Sequence, residues 1–366
     1  MEDILTEIVR RKEQGERMAL ASLVWSTGSI PMSERAKMIV AEEGDVVGTI
    51  GGGCLEAEVL SAGRIALETG ENQLMRYTMT EKQAGESGLN CGGSVRIYTE
   101  VIEPDEGADF YSRVLAARQA RSGCALATLL KSRFDATGEG KLWLGADGSI
   151  CGSLGTPEAD RQVEKRLPEV IVHERGLVCA LDPSAALGES AEVFIEPFLP
   201  EPVLYVFGGG HVGGQICALA KNVGFRVVLI DDRPTFANPE RHPQADECLV
   251  AGMEEVFADL PIDDQSYIVA ATRGHQHDEI VVEAAIKTPA RYIGMLGSER
   301  KKLILWRRIA ERGGDPQRLD AVFAPIGFNI GADTPAEIAV SVVAELIEQR
   351  RGTPKVWKTK RKTHGR

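Results

Sequence analysis

The chain has 366 residues, with 42 Lys plus Arg against 54 Asp plus Glu and a formal net charge of −12. That length exceeds what one hydrophobic core organises and points to two domains, while the negative charge is the wrong sign for binding nucleic acid through its phosphates. No uninterrupted apolar stretch approaches the roughly 18 residues of a spanning helix, so neither nucleic acid nor a membrane is an expected partner, and the expected location is cytoplasmic. The seven cysteines, at 54, 91, 124, 151, 179, 217 and 248, are scattered singly, which argues against a disulfide framework or a Cys-rich structural zinc site.

Residues 3–14 place Ile4, Leu5, Ile8 and Val9 on one helical face, and Gly15 is a natural stop. Extended segments follow: Met18 to Trp25, Ala36 to Val40, a turn at Glu43-Gly44-Asp45, and Val46 to Ile50. Gly51-Gly52-Gly53-Cys54 then leads into Leu55 to Leu67, rich in Ala, Leu and Glu, which predicts a helix closed by Gly70.

This pattern recurs. Ala19-Leu20-Ala21-Ser22-Leu23-Val24 is echoed by Ala125-Leu126-Ala127-Thr128-Leu129-Leu130, and Gly44 to Gly53 by Asp147 to Gly155. Val95 to Pro104 likewise matches Glu192 to Pro197. The echo predicts two copies of a β-hairpin, glycine loop, helix and closing strand, about 17–104 and 123–197, within an α+β domain spanning 1–200. The second copy lacks the chemistry of the first: its loop reads Gly155-Thr156-Pro157 in place of Gly53-Cys54-Leu55, and nothing in it parallels Asn90-Cys91-Gly92-Gly93.

After the Pro-rich joint 198–202 the pattern turns to strand and helix in alternation, the rhythm of a Rossmann-like, doubly wound parallel sheet over 201–352. The fold class expected is therefore α/β, with the N-terminal duplicated α+β domain attached. Residues 353–366, basic and without apolar periodicity, are expected to form a flexible tail.

The motif with the most structural context is Gly208-Gly209-Gly210-His211-Val212-Gly213, directly after the apolar strand Val203 to Phe207. Glycines there allow a tight turn, close approach of a phosphate and packing of helix on strand, and the free amides of the helix face the anion. Asp231, with Asp232 and Arg233 behind it, ends the next strand and is placed to accept ribose hydroxyls. Thr272-Arg273-Gly274-His275-Gln276-His277-Asp278 and Gly294 to Lys301, with Gly297 and Ser298, follow later strands and are expected to line the same crevice. His275, His277 and Asp278 suit metal ligation by type, yet no distant third ligand is evident and no dedicated metal site is expected. In the first domain, Gly51, Gly52 and Gly53 place the Cys54 thiol at a helix start, where it is a nucleophile or soft ligand, and Cys91 before two glycines is a second such position. Both cysteines also fit as small buried fillers, and the other five are read as packing residues.

Co-linear motifs give the chain a resemblance. They are Gly48 to Glu56, Cys91-Gly92-Gly93, Phe207 to Val212, Asp231-Asp232-Arg233-Pro234, Thr272-Arg273-Gly274-His275, Tyr292 to Ser298, and Pro325-Ile326-Gly327 with Gly331 to Ala339. Together they resemble the xanthine dehydrogenase accessory factors, the XdhC/CoxI family, over nearly the whole chain. The resemblance implies a maturation chaperone, not a turnover enzyme. Such a protein binds molybdenum cofactor, protects it, assists its sulfuration and inserts it into a xanthine dehydrogenase-type hydroxylase. A cysteine desulfurase becomes a further expected partner, a homodimer the expected assembly, and Cys54 or Cys91 a contact for molybdenum or its terminal sulfur. The chain departs from the family pattern where Met32 follows Gly28-Ser29-Ile30-Pro31, leaving Arg35 as the nearest cation, and at Gly327-Phe328-Asn329, where an amide replaces a carboxylate. The rival reading from the residues is an NAD-dependent oxidoreductase, with Asp231 on the ribose and His275 or His277 as acid/base; a third is a non-catalytic nucleotide-sensing module.

Overall fold

A computed structural model describes residues 4–28, 30, 32–33, 35–78, 93–105, 109–131, 140–172, 174–182 and 191–352. The chain divides into two compact units, Met1–Pro200 and Glu201–Arg366.

In the first unit, α1 (Ile4–Glu13) precedes β1 (Met18–Thr27), β2 (Lys37–Ala41), β3 (Val46–Thr49), α2 (Gly53–Thr69), β4 (Gln73–Thr78) and β5 (Ser94–Ile102). The second half repeats the plan with α3 (Phe110–Gln119), β6 (Cys124–Lys131), β7 (Lys141–Gly145), β8 (Ile150–Ser153), α4 (Pro157–Glu164), α5 (Leu167–Val172), β9 (Leu177–Ala180) and β10 (Glu192–Phe198). Both halves form five-stranded sheets of the same order, β3-β2-β1-β5-β4 and β8-β7-β6-β10-β9, antiparallel throughout. The duplication read from the sequence is thus a duplication of fold.

The unbroken apolar stretch of β1 follows from burial on both faces. Ala19, Ala21 and Leu23 pack with Leu55 and Val59 of α2, while Met18 and Leu20, pointing the other way, pack with Ile8 of α1 and with Leu126, Trp143 and Phe198 of the second half. The halves are also cross-linked reciprocally: Lys37 Nζ lies 2.8 Å from Glu196 Oε2, and Lys141 Nζ 2.8 Å from Glu100 Oε2. A lysine from each repeat meets a buried glutamate from the other, so each charge depends on its twin.

The second unit runs β11 (Val203–Phe207), α6 (His211–Asn222), β12 (Arg226–Asp231), β13 (Glu247–Val250), β14 (Ser266–Ala270), α7 (His275–Ala285), β15 (Tyr292–Met295), α8 (Glu299–Glu311), α9 (Pro316–Asp320) and α10 (Pro335–Arg351). Its five strands are parallel, in the order β13-β12-β11-β14-β15. Val203, Tyr205 and Phe207 of β11 face α7 and α8 through Val281, Val282, Leu305 and Ile309. Leu204 and Val206 face α6 and α10 through Ile216, Ala220, Val342 and Leu346. Helices on both faces explain why the strands read as continuous hydrophobic runs. The order reverses between β11 and β14, and in such sheets the crevice at the carboxyl ends of the strands on either side of the reversal is where ligands bind.

Candidate functional site

Phe207 of β11 is paired with Ala270 of β14, so the loops that follow them leave the sheet side by side at the reversal point. Gly208, with φ +117, turns the chain where an added Cβ would strike the backbone carbonyl of Ala271, and an added Cβ on Gly213 would overlap the Gly208 carbonyl oxygen. These two glycines are required by the tight strand-to-helix junction. Gly210 is different: it is the N-cap of α6 in extended backbone with no side-chain cap, and open space surrounds its Cβ position. The first turn of α6 therefore carries no side-chain cap, the condition under which helix N-termini can take an anion. α7 begins in the same way, from Gly274 without a side-chain cap. α8 does not, because Ser298 Oγ accepts the Lys301 amide at 3.3 Å. Gly297 and Ser298 therefore lie at the end of β15 as expected, but the Ser298 hydroxyl is occupied in capping.

A chain of ion pairs ties the strand-end loops together. Asp231 Oδ2 accepts the Gly209 amide at 2.9 Å and Arg233 Nη2 at 3.0 Å, and Oδ1 accepts the Arg233 amide and Nε at 3.0 and 2.8 Å. Burial opposes ionisation of this carboxyl, but the Arg233 and Gly209 donors outweigh it and hold its pKa below the ordinary range. Arg233 also stacks over Phe236, its guanidinium carbon 3.6 Å from the ring centre. Asp232 accepts Arg273 Nη2 at 2.8 Å, joining the loop after β12 to that after β14. Here the structure departs from expectation. Asp231, read from the sequence as a ribose acceptor, is 1% exposed with both oxygens engaged inside the protein; it braces the glycine turn, and Asp232 is the acid left partly open.

Thr272 donates from its amide and its hydroxyl to Asp278 Oδ1 at 3.0 and 2.7 Å. Lys301 bonds the other oxygen of Asp278 and the Leu296 carbonyl at 2.9 Å. This buried clamp joins β14, α7 and the loop after β15, and nothing in the spacing of the residues singles out Asp278 or Lys301 as a fastening. Sequence reasoning misses His242 as well. It is buried, its Nε2 lies 3.2 Å from the Gly209 carbonyl oxygen, and its ring fills the space beside Gly214, 2.8 Å from where a Cβ would stand. A cleft of about 530 Å³ runs along α6 from this point, lined by His211, Gln215, Arg241, His242, Gln244 and Thr334, among others. His211 thus lines the flank of α6.

In the first unit, Gly51, Gly52 and Gly53 have φ values of 112°, 79° and 66° and deliver the chain to α2 with Gly52 as an N-cap that has no side chain. Glu56 Oε2 reaches back to Thr49 Oγ1 at 2.8 Å and to the Gly52 amide at 2.9 Å. The twin loop copies this brace with Asp160, which accepts Ser153 Oγ and the Leu154 amide at 2.8 Å each, but it seals the helix start: Thr156 caps the Ala159 amide and Pro157 removes a donor. Of the two loops, the first therefore presents an open helix start, with Cys54 exposed upon it. Cys124 and Cys217 are buried, and burial pushes their thiols up to about 12. Cys91 lies outside the described residues; His275 opens α7, and its side chain is likewise outside them.

Residues 204–346 match the family described as XdhC Rossmann domain, and residues 12–78 match the XdhC and CoxI family. The chain belongs to the XdhC/CoxI family. It is 27% identical over 341 residues, 93% of this chain and 95% of the relative, to a Bacillus subtilis protein named as a probable xanthine dehydrogenase subunit. It is 21% identical over 356 residues, 95% of this chain and 88% of the relative, to the molybdenum cofactor insertion chaperone PaoD of Escherichia coli. The uncharacterized protein YqeB of Escherichia coli is 24% identical over 353 residues, of which the chain spans 47% of the length. In fold the chain is similar to a crystal structure from Bacillus halodurans described as a xanthine dehydrogenase, with a TM-score of 0.70, 22% identity, and coverage of 97% of this chain and 98% of that one. Among the described residues, no helix is long and apolar enough to cross a membrane, and no three His, Cys, Asp or Glu side chains gather as a metal-binding group.

Proposed function

We propose that this protein is an accessory factor that carries molybdenum cofactor, as cargo, to a xanthine dehydrogenase-type hydroxylase. The strongest support is the asymmetry between the two repeats: the same loop is capped by Thr156 and Pro157 in one, and in the other is left open with an exposed cysteine. A structural loop would keep its cap, which is worth about 1 kcal/mol. The name of the PaoD relative supports the same reading.

The cargo brings a pterin, a dithiolene that holds molybdenum, and a phosphate or dinucleotide tail. The residues present suit those groups. The open amides of α6 behind Gly210 take the anionic tail, and the turn held by Asp231, Arg233 and His242 keeps those amides fixed, so little ordering is required on binding. Cys54 offers a soft sulfur of the kind molybdenum and its terminal sulfur accept. Cys54 then serves during sulfuration, with a cysteine desulfurase as sulfur source, and the hydroxylase receives the loaded cofactor. An NAD-dependent oxidoreductase is less well supported, because the carboxylate that would hold the ribose is already occupied.

The test is delivery. Apo-hydroxylase is mixed with cofactor, a cysteine desulfurase and cysteine in the presence of wild type or Cys54→Ala, and recovered hydroxylase activity is followed. Wild type is expected to raise the yield of active, sulfurated enzyme and Cys54→Ala to fail while still binding cofactor; equal delivery by both would remove Cys54 from the mechanism.

A further inference from the structure

The cleft along α6 has a lining that the proposed function leaves unused. His211, Gly214, Gln215 and Ala218 belong to it; spaced at i, i+3, i+4 and i+7 they share one face of the helix, while Ile216 and Ala220 pack into the core beneath. Gly214 and Ala218 bring almost no side chain, which keeps the floor low. The volume of about 530 Å³ is that of a small-molecule site and exceeds what one inorganic anion fills. The chain has 54 acidic residues and a net charge of −12, yet no Asp or Glu lines this cleft among the described residues. A cation does. Arg241 lies over the ring of Phe236, its guanidinium carbon 4.6 Å from the ring centre. Arg233 lies over the same ring and is neutralised by Asp231, whereas Arg241 makes no ion pair with a described residue. Its charge is therefore both positioned and available. Gln215 and Gln244 add two carboxamides, each a donor and an acceptor, and Ala218, Pro335 and Ala336 add apolar surface.

We infer that this cleft binds a nucleoside phosphate: Arg241 takes the phosphate, the carboxamides of Gln215 and Gln244 meet the edge of the base, and Ala218, Pro335 and Ala336 take its flat face. An inorganic anion would leave the amide acceptors and the apolar surface unused, and a neutral ligand would make no use of the Arg241 charge. Two sources offer this chemistry. Gly210 lines the same cleft, so a dinucleotide cofactor with its anionic tail at Gly210 would place its nucleoside here, an assignment that rests on the proposed function. A free nucleotide is the other source.

The test titrates wild type, Arg241→Gln and Ala218→Trp with CMP, GMP, AMP and inorganic phosphate by calorimetry, beside thermal melts. Wild type should bind at least one nucleotide about ten-fold or more tighter than inorganic phosphate, and Arg241→Gln should lose about ten-fold of that affinity. Ala218→Trp fills the cleft and should lose nucleotide binding; if the tryptophan unfolds the domain, Arg241→Gln, at an exposed position, decides. Nucleotide binding no tighter than that of phosphate, or equal binding by wild type and Arg241→Gln, would overturn the inference. Displacement of the nucleotide by the dinucleotide form of molybdenum cofactor, and not by the mononucleotide form, would assign the cleft to the tail of the cargo. A nucleotide that stays bound while the cofactor loads would assign it to free nucleotide. Nucleotide binding without any pterin retention would overturn the proposed function and leave this inference standing.

Discussion

Replacing Gly210 by aspartate separates the cradle from the fold. The Cβ of residue 210 would point into open space, and its backbone, at φ −71 and ψ −172, is ordinary extended conformation. An aspartate there is a better N-cap than glycine, by a few tenths of a kcal/mol, so the variant should melt at or slightly above the wild-type temperature. Its carboxylate, however, occupies the first-turn amides and stands beside any incoming phosphate. Two unit charges about 4 Å apart repel by about 4 kcal/mol at an effective dielectric constant of about 20, a loss of roughly a thousand-fold in affinity before screening. The assay is a titration of purified Gly210→Asp with molybdenum cofactor, read by pterin fluorescence, beside a thermal melt. A folded variant that binds within two-fold of wild type would refute the placement of the anionic tail on α6.

Gly213→Ala should behave in the opposite way: its Cβ would overlap the Gly208 carbonyl oxygen, so circular dichroism should show loss of thermal stability, by about 3 kcal/mol or more, before any binding is measured. Lys141→Met leaves the buried Glu100, 8% exposed, without its counter-charge and with the Tyr111 hydroxyl as a remaining donor, and should destabilise by about 3 kcal/mol, whereas the paired Lys141→Met, Glu100→Gln change should recover much of that in denaturant titrations. Burial holds the imidazole pKa of His242 below its ordinary 6.5. The unfolded chain then takes up the proton first, so this contribution to stability is complete above pH 6.5 and declines as the pH falls below it. Melts of wild type and His242→Gln between pH 7.5 and 5.5, about a unit to either side of that value, should converge as the pH falls, and parallel curves would contradict the assignment.

The strands and the glycine loops are legible in the sequence because their patterns are local. The continuous apolar stretches of β11, β12 and β14 read as buried strands, and the repeat shows itself through Asp147 to Gly155 echoing the first loop. The sequence is less telling where the signal lies in tertiary partners. The 17-residue helix α10 enters the sequence reading only through its motif, yet its Val342 and Leu346 form much of one core face. Its start is a capping box of Thr334 and Glu337, with Pro335 in the first turn. Asp231 is the instructive departure. Its position after β12 matches a ribose acceptor, but Arg233, two residues on, returns to saturate it, and nothing in the spacing distinguishes an acid that faces a ligand from one that braces a turn. His242 and the Asp278 to Lys301 clamp are hidden for the same reason: 33 residues separate His242 from the carbonyl it meets, and 23 separate Lys301 from Asp278.

Whether this chain carries molybdenum cofactor is decided by retention. Purified protein is mixed with the cofactor, passed through gel filtration, and the protein-bound pterin is quantified, with NAD in a parallel run. A carrier should hold near-stoichiometric pterin that survives the column and is not displaced by NAD. Absence of pterin from the protein peak, with NAD bound in its place, would contradict the carrier function.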